Sequence, residues 1–175
     1  RQANRGYGRV LAAYERAVAQ RNRLLREDVV DPGLLGVWDE SVALCGAALL
    51  FARLRLFRRL SSHVRDIYER ISGGERLDCA YIASVGSQEE LAGLSKDELR
   101  DLILRQLEER RHDELRRRQT LVGPHRDDLG FVIDGRDARA FASQGQQRSV
   151  ALALKMAEVE LSFEVVGTRP LLLLD

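Results

Sequence analysis

The chain has 175 residues, of which 45% are apolar and 31% charged, a composition typical of a soluble globular protein. It has no run of about 18 apolar residues, so the sequence predicts neither a membrane span nor a membrane partner. The net charge of +1 excludes no class of partner, and Cys45 and Cys79 lack the spacing of a metal site. We therefore expect a reduced, cytosolic setting.

The charge is unevenly distributed. Residues 1–76 contain 14 arginines and nine acidic residues, whereas residues 77–175 contain 14 basic and 18 acidic residues. All of the basic residues except Lys96 and Lys155 are arginine. The planar guanidinium group of arginine can bind phosphate through two hydrogen bonds. Codon bias in the source genome accounts for the arginine excess as well as phosphate binding does, but it does not account for the clustering.

The first part of the chain predicts two helices. Apolar residues recur at three- and four-residue steps over 7–26, with Arg21 interrupting, and again from Trp38 to Ile71. "DPG" at 31–33 predicts a turn between them and "SGG" at 72–74 ends the second. The pattern predicts an αα-hairpin, which is either a helical arm over residues 1–76 or an ordinary helical core.

The second part, residues 77–175, mixes strands and helices. Residues 77–85 alternate as in a half-buried strand, and two capping boxes, "SQEE" and "SKDE", precede a helix that ends near Arg118. "TLVG" at 120–123 predicts a short strand. Residues 129–141 predict a β-hairpin turning at Asp134-Gly135.

A helix over about 146–165 and a buried strand, "LLLLD", complete the predicted elements. Asp175 ends that strand. Because ligands bind beyond the carboxyl ends of parallel strands, its carboxylate can hold Mg²⁺ through water near a nucleotide. A helix or turn cap is the alternative role.

The polar segment "ASQGQQ" (142–147) in front of the 146–165 helix has two interpretations. Ser143 and Gln146 have the spacing of a capping box. Gly145 is not needed for a cap, and it lets backbone amides approach an anion at a helix N-terminus. The second interpretation is a γ-phosphate clamp in which Ser143 and Gly145 are donors.

The order of these features is that of an ABC-type ATPase, in which a signature motif, one helix and a Walker B strand follow each other. The general signature is close to Leu-Ser-Gly-Gly-Gln, and this chain differs from it at Ala142 and Gln144. The fold class expected is α+β or α/β, with a helical-hairpin arm joined to part of an ABC-type head that has a P-loop NTPase-like sheet, a β-hairpin and a signature helix.

The sequence resembles the RecF family of bacterial recombination and repair ATPases. The resemblance is carried in order by four stretches, "QRNRLLR" (20–26), "LVGPHRDDLGF" (121–131), "SQGQQRSVALALKMAE" (143–158) and "PLLLLD" (170–175). It implies a P-loop ATPase head, over 77–175 here, with an inserted helical arm over 1–76. It also places the chain in DNA replication, repair, recombination and the SOS response, in the cytoplasm with the nucleoid.

The resemblance implies roles for particular residues. Ser143, Gly145 and Gln146 would contact the γ-phosphate of an ATP held by a second subunit, and Asp175 would contact Mg²⁺. The family implies an ATP-dependent homodimer that binds DNA at single-strand gaps or junctions and acts with RecO and RecR to load RecA. It also implies slow, DNA-stimulated ATP hydrolysis. No G-x-x-x-x-G-K-[ST] loop occurs in the 175 residues, so we expect no hydrolysis by this segment alone.

"GPHRDD" has no role fixed by spacing. It is either a structural turn or a contact to nucleotide, DNA or the opposite subunit through His125 and Arg126, with Gln147 as a further candidate. A metal site from His125 and the neighbouring aspartates is disfavoured because the three side chains are too close in sequence.

A different class of function is a non-enzymatic, arginine-rich helical module that binds nucleic acid or protein. Its candidate DNA-binding residues are Arg53, Arg55, Arg58 and Arg59. The related chromosome-maintenance (SMC) ATPases are a third alternative, but their coiled-coil insertions are much longer than this arm.

Overall fold

The computed structural model describes residues 2–166, and the side chains of residues 6–164. Helices dominate, with one small sheet. In chain order the elements are α1 (Gln2–Leu24), α2 (Pro32–Ser72), β1 (Leu77–Ile82), α3 (Gln88–Leu91), α4 (Lys96–Arg117), a 3₁₀ turn (Pro124–Arg126), β2 (Asp128–Ile133), β3 (Arg136–Asp137), α5 (Ala138–Phe141) and α6 (Gln144–Val166). The predicted strand at 171–174 and Asp175 lie outside the described residues.

The chain forms two compact units. The first comprises the described residues up to Leu54 together with Ile82–Asp128, and the second comprises Arg55–Tyr81 and the described residues from Leu129 onward. Helix α2 contributes to both. The predicted division into an arm and a head after residue 76 stays a prediction.

The first unit packs α1, the first half of α2, and α4 around Gly46. A Cβ at Gly46 would lie 3.2 Å from Tyr14 Cε2 and 3.4 Å from both Ile103 Cδ1 and Pro124 Cδ. Such contacts are tighter than ordinary packing, so glycine lets the three helices approach closely at this point. The bounds of α1 and α2 confirm the helices predicted at 7–26 and 38–71, and both helices begin earlier than predicted.

Both predicted capping boxes are formed. Ser87 Oγ accepts from Glu90 N while Glu90 Oε2 accepts from Ser87 N, and Ser95 and Glu98 do the same at the start of α4. Each box satisfies two amide groups that a helix leaves without partners. Helix α4 ends at Arg117, close to the predicted end, and its C-cap Arg118 lies in the left-handed region at φ 55°.

The prediction of a strand at 120–123 is wrong. The amide of Thr120 donates to Asn22 Oδ1 at 2.6 Å, and the amide of Leu121 donates to Glu114 Oε1 at 2.6 Å. Because side chains satisfy these donors, the segment needs no partner strand. It runs instead into the 3₁₀ turn.

The second unit contains the second half of α2, α5, α6 and a sheet of strand order β1-β2-β3. Val132 faces Asp137 and Ile133 faces Arg136 in an antiparallel pair. Asp134 (φ 46°) and Gly135 (φ 79°) form the predicted two-residue turn.

Two strands are shorter than predicted. β1 ends at Ile82 rather than Val85, and β3 has only two residues. After β3, Asp137 Oδ1 accepts from the amide of Arg139 and starts α5. This cap is favourable for a helix, so residues 138–141 leave the hairpin and form a turn of helix.

By length and composition α2 could cross a membrane, and 44% of its most apolar window is buried within the protein. A buried core helix passes the same test, so this feature alone identifies no membrane span.

Candidate functional site

The start of α6 is closed by the capping box that the sequence predicted. Ser143 N donates to Gln146 Oε1 at 2.9 Å, and Gln146 N donates to Ser143 Oγ at 3.2 Å. The first bond within the helix runs from Gln147 N to Ser143 O at 3.0 Å. The amides of Gln144 and Gly145 therefore lie in the first turn, where N–H groups have no acceptor inside the helix.

The side chain of Ser143 and the backbone of Gly145 are exposed. Ser143 Oγ is an acceptor in the cap, so its hydroxyl can still donate. A Cβ at Gly145 would meet only Ser143 Oγ, at 3.8 Å, which is ordinary contact. Packing among the described residues therefore does not require glycine at 145, and the missing side chain leaves this turn open.

Both polar groups of the Gln146 side chain have hydrogen-bond partners within the chain. Its Oε1 accepts from Ser143, and its Nε2 donates to Glu75 Oε1 at 2.9 Å. The adjacent Gln147 donates through Nε2 to the carbonyl of Ala142 at 3.1 Å. The candidate donors open to solvent are thus those of Ser143 and Gly145, and the phosphate contact expected of Gln146 stays a prediction.

A cavity of about 300 Å³ adjoins the cap. It is bordered by the hairpin turn, by the exposed ring of Phe141, and by Gln146; the lining residues are Ile133, Asp134, Arg136, Ala138, Phe141, Ala142 and Gln146. A recess therefore lies beside Gln146, next to the start of α6.

His125, in the first unit, has a protein partner at each ring nitrogen. Nε2 lies 3.2 Å from the carbonyl oxygen of Thr120, and Nδ1 lies 2.6 Å from the hydroxyl of Tyr14. A carbonyl can only accept, so Nε2 carries the hydrogen and Nδ1 accepts from Tyr14. Desolvation lowers the pKa of His125, and the nearby Arg126 and Arg21 act in the same direction. The ring is neutral at pH 7.

Arg126 folds back onto its own loop. Its Nε and Nη2 donate to the carbonyl of Thr120 at 3.2 and 3.0 Å, and Nη2 also donates to Gln119 Oε1. The structure thus gives "GPHRDD" the structural role that the sequence left open. A contact from His125, Arg126 or Gln147 to nucleotide or to a second subunit stays a prediction.

A buried ionic cluster surrounds Arg21 and was not predicted from the sequence. It consists of Arg21, Asp39, Glu114, Arg111 and Thr120. Arg21 is fully buried; Nε donates to Asp39 Oδ1 at 2.6 Å, Nη1 donates to Thr120 Oγ1 at 2.9 Å, and Nη2 lies 2.6 Å from Glu114 Oε2. Arg111 pairs with Asp39 Oδ2 at 3.0 Å. Two cations thus neutralise two anions. The only signal in the sequence was the interruption of the apolar face of α1.

Glu114 is fully buried within this Arg21 cluster. Desolvation raises the pKa of its carboxyl group, while Arg21 and the amide of Leu121 oppose that rise. Within the described residues no group of three or more His, Cys, Asp or Glu side chains is placed to hold a metal ion.

The four arginines predicted to bind DNA are not equivalent. Arg53 donates to the carbonyl of Pro124 at 2.5 Å and to the hydroxyl of Tyr7 at 3.3 Å. Arg59 pairs with Glu164 at 2.5 Å. Arg55 and Arg58 are exposed. At least two of the four guanidinium groups thus contact the protein itself.

The fold and the helix start define a class of protein. A helical hairpin joined to a small sheet and a signature-type helix is part of an ABC-type ATPase head with its arm. No family model matches the sequence. Two solved structures of the recombination mediator protein RecF in the RecFOR pathway match it. The RecF-ATP structure has a TM-score of 0.89 and 32% sequence identity, and the match covers 98% of this chain and 46% of that chain. The RecF-ATPrS structure has a TM-score of 0.88 and 31% sequence identity, and the match covers 95% of this chain and 44% of that chain.

The curated relatives of this chain also carry the name RecF. The chain is 46% identical to the DNA replication and repair protein RecF of Symbiobacterium thermophilum over 176 residues, 99% of this chain and 46% of the relative. Identity to RecF of Chloroflexus aggregans is 42% over 97% of this chain and 44% of that protein. The resemblance to the RecF family is therefore confirmed. The chain spans about half the length of the curated relatives it matches.

Proposed function

We propose that this chain supplies one half of a composite ATP site. In it the Ser143 hydroxyl and the Gly145 amide bind the γ-phosphate of an ATP held by a second subunit of a RecF-like ATPase. The observation that carries the proposal is the open first turn of α6, where both donors are exposed and no packing among the described residues requires glycine.

Elementary electrostatics supports an anion at this position. Amides without helical acceptors point out of a helix N-terminus, and the aligned peptide dipoles add partial positive charge there. The phosphate-cradling loop has to come from outside these 175 residues, since none of them form a G-x-x-x-x-G-K-[ST] motif. Asp175 would hold Mg²⁺ through water, because carboxylate oxygen is the ligand that this ion prefers.

At the scale of the intact protein we infer ATP-dependent dimerisation and action at single-strand gaps in DNA, with RecO and RecR, to load RecA. Support comes from relatives named as DNA replication and repair protein RecF and from RecF structures of the RecFOR pathway that carry ATP.

Substitution of Ser143 by Arg in the intact protein tests the composite site. The change removes the hydroxyl donor and places a long side chain at the open first turn of α6, so we expect ATP-dependent dimerisation to be lost. Sedimentation velocity with and without ATP measures it. Ser162→Arg, the same change at an exposed position further along α6, is the control and should dimerise normally. Dimerisation of the Ser143→Arg protein at the wild-type ATP concentration contradicts the proposal and favours the non-enzymatic interaction module.

A further inference from the structure

We propose that Glu75 is a positioning residue for the signature turn, acting through the side chain of Gln146. The inference rests on the proposed function, and all the residues that carry it lie in the second unit. Glu75 is half-buried between the end of α2 and the start of β1.

The two carboxylate oxygens of Glu75 have different partners. Oε1 accepts from Gln146 Nε2 at 2.9 Å, and Oε2 accepts from the hydroxyl of Tyr68 at 2.7 Å. Tyr68 is fully buried on α2, and burial together with this bond raises its pKa far above the usual range. Its hydroxyl therefore stays protonated and remains a donor, which fixes the carboxylate from the side opposite Gln146.

This arrangement allows only one orientation of the Gln146 amide. Ser143 N is a donor and requires Oε1, and the Glu75 carboxylate is an acceptor and requires Nε2. A flipped amide would place two donors together at Ser143 and two acceptors together at Glu75. Because the bond to Glu75 is charge-assisted, it is the stronger of the two constraints. Glu75 thus holds the cap in the form that leaves the Ser143 hydroxyl and the Gly145 amide exposed.

The backbone fixes the position of Glu75. Gly73 (φ 78°) and Gly74 (φ 108°) turn the chain at the end of α2, and Gly74 N donates to the carbonyl of Glu69 at 3.0 Å. The amide of Glu75 then donates to Ser72 Oγ at 3.1 Å. A side chain at either glycine would be strained in this left-handed region, so the turn directs Glu75 toward Gln146.

The next residue ties the same segment to the hairpin turn. Arg76 N donates to Asp134 Oδ1 and Asp134 N donates to the carbonyl of Arg76, both at 3.0 Å. Asp134 borders the recess beside Gln146. Residues 73–76, which we call the α2–β1 link, therefore contact both Gln146 and Asp134, two residues that line the recess.

The test uses the intact protein and three substitutions. Glu75→Ala removes both acceptors, and we expect it to raise the ATP concentration needed for half-maximal dimerisation about tenfold, the size expected for loss of one charge-assisted bond. Glu75→Gln keeps an acceptor for Gln146 Nε2 and should stay within about threefold of wild type. Glu69→Ala, the same change at an exposed carboxylate of α2 that leaves its backbone carbonyl in place, is the matched control and should dimerise as wild type does.

A double-mutant cycle with Gln146→Ala separates positioning from general destabilisation. If Glu75 acts through Gln146, Glu75→Ala has no further effect on dimerisation in the Gln146→Ala background. An undiminished effect in that background overturns the inference, and so does wild-type dimerisation by Glu75→Ala. Ser143→Arg, measured alongside, distinguishes the two proposals: if it blocks dimerisation while Glu75→Ala does not, the composite site stands and only the role of Glu75 is lost.

Discussion

Single residues of "GPHRDD" have structural partners that explain their identity. Gly123 has φ 120°, and a Cβ there would lie only 2.3 Å from the hydroxyl of Tyr14, which is bonded to His125. Any side chain at 123 would displace that hydroxyl. Glycine at this position is therefore required by both the backbone angle and the Tyr14–His125 pair.

The lowered pKa of His125 predicts a pH dependence of stability. The unfolded chain has an ordinary histidine, with a pKa near 6.5, so it binds more protons than the folded chain between that value and the lower folded pKa. Stability should therefore fall as the pH drops below about 6.5, and the loss is complete below the folded pKa. In His125→Gln, whose amide can still donate to Thr120, this part of the loss should disappear.

Urea unfolding of this chain between pH 8 and pH 5.5 measures the effect. The difference between wild type and His125→Gln isolates one group, because Glu114 and the other carboxyls are present in both proteins. His112→Gln, on an exposed part of α4, is the control and should keep the wild-type slope. Parallel profiles for wild type and His125→Gln contradict the prediction.

At the scale of elements, the Arg21 cluster joins α1, α2 and α4 at their polar residues. Arg21→Met leaves the carboxylates of Asp39 and Glu114 buried without their main cation. Removing one partner of a buried ion pair costs about 3–5 kcal/mol of unfolding free energy. Arg23→Met changes an exposed residue of the same helix and should cost no more than about 0.5 kcal/mol. Urea denaturation compares the two, and equal losses would show that the cluster contributes little.

Most elements with a local signal could be predicted, although α5, which starts at the local cap of Asp137, was not. The capping boxes at Ser87, Ser95 and Ser143 depend on residues three positions apart, and α1, α2, α4 and α6 depend on apolar periodicity within one helix. The prediction of a strand at 120–123 was wrong because the apolar residues of this segment do not reveal that Asn22 and Glu114 accept hydrogen bonds from its amides.

The parts of the candidate site that sequence could not provide depend on partners far away in the chain. Gln146 and Glu75 are 71 positions apart, and Arg21 and Thr120 are 99 apart. Arg21 interrupts the apolar pattern of α1, and a charged residue is usually exposed, so the pattern gives no reason to expect Arg21 to be buried. Only the approach of Asp39 and Glu114 makes its burial favourable.

At the scale of the whole molecule, the structure reduces the number of arginines in residues 1–76 that are suitable for testing DNA binding. Arg53 and Arg59 contact Pro124 and Glu164 within the protein, so reversing the charge of Arg59 would also set two carboxylates against each other. Arg55, Arg58 and Arg59 are all exposed, and Arg59 pairs with Glu164. Charge reversal at Arg55 and Arg58 leaves the Arg59–Glu164 pair intact, so these two are the better test of phosphate binding.

We expect Arg55→Glu with Arg58→Glu in the intact protein to weaken binding to gapped DNA and to flatten its salt dependence. Removing one arginine–phosphate pair should reduce the slope of log K against log salt by about 0.9, so removing two should reduce it by about 2. Fluorescence anisotropy across a salt series measures both affinity and slope. Arg105→Glu with Arg110→Glu, two exposed changes on α4, controls for net charge. If the double variant matches that control in both quantities, these arginines do not bind DNA, whereas a selective loss identifies the second half of α2 as the DNA-facing part of the arm.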